Sequence, residues 1–216
     1  MNYSQRFSSK FFTKLLQPIG GVVRDRATTL EVVFELLDQK EEKNFTIIET
    51  GCMRPDYTKA GAYSLGDDGS STYIFDDFVN FYDGQVYSVD IKKENVDYAT
   101  SNTSDKTKIT CSDSVEYLWS LSPDIKADFL YLDSYDLEPS NPVPSQLHHI
   151  KELCAAMKNT REGTIIVVDD HLNTPNLISE FQGTLAQGGK ARYVEDFMNN
   201  IDAELLFDGY QIGWRI

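Results

Sequence analysis

The sequence predicts an α/β fold: a doubly wound, seven-stranded sheet, mostly parallel, closed by an antiparallel C-terminal hairpin and carrying helices on both faces. Two observations predict it. Strand-like runs at 45–50, 86–90, 107–111, 128–133 and 164–169 alternate with helical segments near 70–82, 93–101, 113–121 and 144–159, and that alternation builds parallel βαβ units. The alternation then breaks at "AELLFDGYQIGWRI", two strand-like runs around Asp208-Gly209, which is a hairpin signal.

The elements follow in order. "MNYSQRFSSKFFTKLLQPIGG" reads as an amphipathic helix with Phe7, Phe11, Phe12, Leu15 and Leu16 on one side, suited to covering the core or pairing two copies. "ATTLEVVFELLDQKEEK" places Leu30, Val33, Phe34 and Leu37 at helical spacing before a charged end. Residues 1–43 are therefore expected to form a helical cap and 44–216 the main unit of one compact domain. The later helices each start near Ser, Asp or Pro. Pro55–Asp68 and Asn173–Gly189 are expected to be long functional loops, with Gly188-Gly189 as a hinge.

Composition excludes several classes. The 216 residues hold 41% hydrophobic and 25% charged side chains, as a soluble globular chain does. No apolar run reaches the roughly 20 residues that span a bilayer. The N-terminus lacks the apolar core and cleavage site of a secretion signal. With 20 Lys and Arg against 34 Asp and Glu, the net charge is −14, unsuited to nucleic acid, which needs clustered positive charge. Cys52, Cys111 and Cys154 are isolated and odd in number, which fits a reducing cytoplasm. Cys52 reads as a small filler.

The chemistry gathers where strands end. "TIIETG" closes on Glu49, "VYSVD" on Asp90, "FLYLD" on Asp133 and "IIVVDD" on Asp169 and Asp170. Ligands of open parallel sheets bind outside the carboxyl ends of the strands, where the strand order reverses. All five acids therefore belong on the ligand edge, and like charges crowded there call for a cation.

Each motif has a local reading. Gly51, after Glu49, allows close backbone approach, and Gly69-Ser70-Ser71-Thr72 opens a helix whose free N–H groups face the same crevice. Asp90 stands where nucleotide binders place an acid on ribose hydroxyls. Asp113-Ser114 serves either as a helix cap or as a contact to a base. Asp133, Asp169 and Asp170 offer three hard oxygens, the set that holds Mg²⁺ beside a substrate; the other reading is a polar, partly protonated cluster. His171 stays open between fourth ligand, proton acceptor and loop residue. His148 and His149 lie on a predicted helix about 100° apart; surface exposure is the plain expectation, and His149 is kept as a candidate base. Tyr57, Tyr63, Tyr73 and Tyr135 suit either stacking on a ring or core packing.

From about Asn44 to the C-terminus the chain resembles class I S-adenosylmethionine-dependent methyltransferases with a Rossmann-like sheet, in the metal-dependent, macrocin-type O-methyltransferase branch. The resemblance rests on the order and spacing of "IIETG", "VYSVD", "CSDSVEYL", "FLYLDSYD" and "IIVVDDH". It implies S-adenosylmethionine against Glu49, Gly51, Ser71, Asp90, Asp113, Ser114 and Asp133, and Mg²⁺ on Asp133, Asp169 and Asp170. It implies methylation of a hydroxyl on a small molecule or sugar, with Asp133, His149 or His171 assisting the proton. "ETGCMRP" lacks the further glycines of the usual loop, and His171 stands where relatives often carry Asn. A homodimer is compatible with the aromatic N-terminal helix.

Other classes fit less well. A nicotinamide oxidoreductase would also use Asp90, but G-x-G-x-x-G is absent. A sugar-nucleotide transferase would group its acids around one turn. A methyltransferase-like domain that binds cofactor or partner without catalysis remains the alternative.

Overall fold

A computed structural model describes residues 1–16, 24–55, 65–66, 69–138, 140–172 and 187–216. Its centre is a seven-stranded sheet: β1 (Phe45–Thr50), β2 (Gly84–Asp90), β3 (Thr107–Cys111), β4 (Phe129–Leu132), β5 (Ile165–Val168), β6 (Glu204–Asp208) and β7 (Ile212–Arg215). The strand order is β3-β2-β1-β4-β5-β7-β6. The first five strands run parallel; β7 lies antiparallel to both β5 and β6. This is the expected architecture.

The central strands are inside because of what they carry. "FLYL" in β4 and "IIVV" in β5 are buried at every position, as strands covered on both faces must be. The closing connection is longer than a two-residue turn: Gly209–Gln211 separates β6 from β7, with Gly209 N–H donating to the Gln211 carbonyl at 2.9 Å.

Helices cover both faces. On one, α1 (Tyr3–Phe7), a π-helical turn (Ser8–Phe12), α2 (Thr13–Leu15), α3 (Ala27–Asp38) and α4 (Ser71–Phe81) share a core with β1, β2 and β4. Tyr3, Phe7, Phe11 and Leu15 recur every four residues and are all buried there. Tyr3 meets the edges of Phe34 and Phe78, both with centroids at 4.8 Å. Phe12 and Leu16 are only partly buried. The aromatic stripe that suggested a dimer thus packs into its own chain.

On the other face lie α6 (Ser114–Ser120), α7 (Val143–Ala156) and α8 (Arg192–Asn200); α5 (Lys93–Asn102) packs near β3. The sequence reading did not single out α8, which buries Val194 and Met198. The expected loops Pro55–Asp68 and Asn173–Gly189 fall mostly outside the described residues, and Tyr57 and Tyr63 fall wholly outside them. Tyr73 packs beside Phe11 with centroids at 6.2 Å, and Tyr135 is exposed.

Candidate functional site

The strand order reverses between β1 and β4, which opens the crevice where such sheets bind ligands. Three of its walls match the acids read from the sequence.

At the end of β1, Glu49 is fully buried and accepts from Ser71 Oγ (2.6 Å), Thr72 Oγ1 (2.7 Å) and Ser88 Oγ (2.5 Å). Burial raises its carboxyl to about 7, against the pull of those three donors. Glu49 therefore orients the hydroxyls that begin α4. Ser70, at the N-cap, makes no side-chain cap bond among the described residues, leaving the first N–H groups of α4 without that partner. Gly51 has φ +79°, and a Cβ there would stand 2.4 Å from the Asp133 carbonyl oxygen. The glycine is needed where the ends of β1 and β4 converge, a tighter constraint than the approach of a ligand.

The second wall follows β2 and β3. Asp90 accepts from Lys92 N (2.7 Å) and Asn95 Nδ2 (3.1 Å) and stays half-buried. Asp113 caps α6 through Val115 N (2.9 Å) and Glu116 N (3.1 Å), the local reading of that motif. Ser114 is buried, with Oγ 2.8 Å from His148 Nε2 and 3.4 Å from Ser134 Oγ. Glu152 on α7, fully buried, joins this network by accepting from Ser134 (2.5 Å) and Thr50 (3.1 Å). His148 is half-buried, and its pKa is raised: burial opposes its charge, but the Glu152 carboxylate prevails.

His149 departs from the expected surface position because α7 turns it inward. It is fully buried, its Nδ1 lies 2.8 Å from the Ser145 carbonyl, and burial depresses its pKa to about 4. His171 is also buried. Its Nδ1 lies 3.1 Å from the Gly188 carbonyl and its Nε2 3.0 Å from Asp208, so both ring nitrogens are engaged away from the acids.

The third wall gathers Asp133, Asp169 and Asp170, with one oxygen from each within 4.8 Å of the others. Asp170 takes a left-handed φ of 47°, rare for a residue with a side chain. Two cations the sequence reading did not place join them. Arg26 Nε lies 3.0 and 2.8 Å from the two Asp169 oxygens, and its Nη2 lies 2.6 Å from Asp169 and 3.4 Å from Asp170. Lys190 Nζ lies 2.5 Å from Asp133 and 3.1 Å from Asp170. Gln211 donates to Asp169 (2.9 Å) and Tyr131 (2.8 Å), and the Tyr210 hydroxyl donates to Asp170. Burial opposes the Lys190 charge, but the three carboxylates outweigh it and hold its pKa above the ordinary lysine value. Asp170 lies below the usual carboxylate range because Lys190 and Arg26 overcome its burial.

The acids thus have a metal's spacing but not a vacant site. Asp169 is 0% exposed and both its oxygens are bonded. Two resident cations face the three acids, and burial together with the neighbouring Asp169 raises the Asp133 carboxyl well above the ordinary carboxylate value, against the pull of Lys190. A divalent ion is not needed to explain their proximity, and this arrangement does not fit one.

No protein-family model and no curated protein sequence matches the chain. Solved structures do. MycE methyltransferase from the mycinamycin biosynthetic pathway, in complex with Mg, SAH and mycinamycin VI, aligns over 98% of this chain at 14% identity and a TM-score of 0.61. This chain spans about half of MycE's length, 53%. An O-methyltransferase from Bacillus cereus in complex with SAH covers 99% of this chain and 97% of its own, at 16% identity and TM-score 0.55. CalS11, a calicheamicin methyltransferase, covers 98% and 90%, at 14% identity and TM-score 0.56. The fold of this chain is therefore the Rossmann-like fold of class I methyltransferases.

Proposed function

We propose that the protein is an S-adenosylmethionine-dependent methyltransferase acting on a hydroxyl oxygen of a small molecule. One observation carries the reading. At the switch crevice of this fold, the α4 N-terminus, the Asp90 carboxylate and the buried Ser114 lie at the ends of β1, β2 and β3 in turn. Those groups suit an amino-acid carboxylate, a ribose diol and an adenine. Asp90, ordered by Lys92 N and Asn95, keeps acceptor capacity for two ribose hydroxyls. Ser71, fixed from behind by Glu49, and Gly51 line the amino-acid end.

When bound, the cofactor supplies an electrophilic methyl on a sulfonium. The chain must align an acceptor oxygen with it and accept a proton. Asp133, with its side chain 25% exposed at the end of β4, is the group this reading assigns to the proton. His149 and His171 are not assigned to it, since one is buried beneath α7 and the other is engaged by Gly188 and Asp208. The Mg²⁺ expected at the acids, and present in MycE, is left out because Arg26 and Lys190 already hold the carboxylates of the cluster. A small hydroxylated acceptor accords with MycE's mycinamycin VI. A reducing cytoplasm accords with three free cysteines; no described helix is long and apolar enough to cross a membrane.

Calorimetric titration with S-adenosylhomocysteine tests the reading. The wild type should bind in the micromolar range, and Asp90→Ala should bind about 10–100-fold more weakly, the loss expected for hydrogen bonds to a charged acceptor. No binding by the wild type, or equal binding by Asp90→Ala, refutes it.

A further inference from the structure

The acid cluster and its two cations come from four separate parts of the chain. Asp133 follows β4, Asp169 and Asp170 follow β5, Arg26 precedes α3, and Lys190 lies in a 3-10 turn before α8. Lys190 is 1% exposed, so its ammonium stays inside only because the carboxylates receive it. Its backbone is fixed as well as its side chain. Lys190 N–H donates to the Asp170 carbonyl at 3.1 Å, and a Cβ at the preceding Gly189 (φ +47°) would stand 1.8 Å from that same carbonyl. The glycine thus permits the contact that brings Lys190 Nζ between Asp133 and Asp170.

We propose that the Lys190 ammonium is the resident cation of this site, standing where a divalent ion would otherwise bridge Asp133 and Asp170, so that the cluster works without a metal. The proposal rests on the methyl-transfer reading for its purpose, since the cation would then lie beside the acceptor oxygen. In that step the hydroxyl oxygen gives an electron pair to the methyl carbon. The carbon–sulfur pair stays on sulfur as a neutral thioether, and the hydroxyl proton passes to Asp133. Lys190 keeps its own protons throughout and positions Asp133. Arg26 holds Asp169 and also reaches Asp170.

A tethered ammonium competes with a dissolved ion at high effective concentration and repels it at short range. Removing it should therefore create a metal site. The experiment is Mn²⁺ binding, read by electron paramagnetic resonance, on wild type and Lys190→Gln, with S-adenosylhomocysteine affinity measured on the same samples.

The wild type should show no stoichiometric Mn²⁺ site below millimolar concentration. Lys190→Gln should gain one site per chain, tighter on the order of 100-fold, and adding Asp133→Asn should abolish it. One Mn²⁺ bound by the wild type at micromolar concentration overturns the proposal without any variant. So does a folded Lys190→Gln that still binds no Mn²⁺; Lys190→Met is read the same way if the glutamine variant does not fold. Wild-type affinity for S-adenosylhomocysteine reports separately on the cofactor reading, so that either idea can fail alone.

Discussion

Arg26→Met is the sharpest test of how the acid cluster is held together. It keeps most of the side chain's length and removes the charge. Arg26 makes two contacts through Nε and one through Nη2 to Asp169, and Asp169 has 0% exposure. Without Arg26, the side-chain donor left to that carboxylate among the described residues is Gln211 at 2.9 Å. Removing one partner of a buried ion pair costs about 3–5 kcal/mol. Loss of the guanidinium over the Tyr210 ring, at 4.7 Å, adds about 0.5–1 kcal/mol. For a domain of this size each kcal/mol lowers Tm by roughly 2–4 °C, so a fall of about 7 °C or more is expected. Urea unfolding and calorimetry at pH 7 measure it. The double variant Arg26→Met/Asp169→Asn removes both charges and should recover about 2 kcal/mol or more relative to the single variant. A loss under about 1 kcal/mol, or a double variant no more stable than the single, would refute the view that Arg26 is what neutralises Asp169.

Three further outcomes follow from the same geometry. Burial raises Glu49 from 4.5 to about 7, so the folded protein keeps a proton that the unfolded chain has released. That contribution to stability is full below pH 4.5, falls as pH rises to about 7, and totals about 3 kcal/mol. Subtracting the Glu49→Gln profile from the wild-type profile should reveal this slope between pH 4.5 and 7; a flat difference argues against it. Gly51→Ala combines a left-handed φ, worth about 1–2 kcal/mol, with a 2.4 Å approach to the Asp133 carbonyl. It should lose at least that much stability and weaken S-adenosylhomocysteine binding together, and unchanged affinity would count against Gly51 shaping the crevice. Phe7→Ala, fully buried beside Phe34 with centroids at 4.9 Å, should cost about 3–5 kcal/mol in urea unfolding; a loss below about 1 kcal/mol would show that the N-terminal helix is not part of the core.

The sheet was legible because its strands differ so plainly from their surroundings. Four buried residues in a row, as in "IIVV", have few alternatives, and the break in the βαβ alternation located the antiparallel pair. The helix α8 was missed although its pattern is present: in "RYVEDFMNN" Val194 and Met198 are buried and Phe197 packs against the same core, the i, i+3, i+4 spacing of a helix. The N-terminal stripe shows a different limit. Its spacing identifies an apolar face but carries no information on what covers it, and here α3 and α4 do so within the chain. His148 and His149 were taken to point apart on their helix and to be exposed, yet both rings come to Glu152, at 3.4 and 4.0 Å. Which of them faces inward depends on how α7 rotates against the sheet, and that is a property of packing.

The acid cluster shows most clearly what a linear reading contains. Carboxylates at neighbouring strand ends must be neutralised, and that inference from Asp133, Asp169 and Asp170 alone was sound, for the structure supplies positive charge there. What the motif could not say was where the charge comes from. Arg26 is 143 residues from Asp169 in the chain, and Lys190 is 57 from Asp133, each in a segment with no apparent connection to a strand end. The one local sign was Gly188-Gly189 before Lys190, read as a hinge. The left-handed φ of both glycines, 78° and 47°, turns the chain against Asp170 and delivers the lysine into the cluster. A strand-end motif therefore specifies the need for a cation, and the fold decides whether solvent or the chain itself provides it.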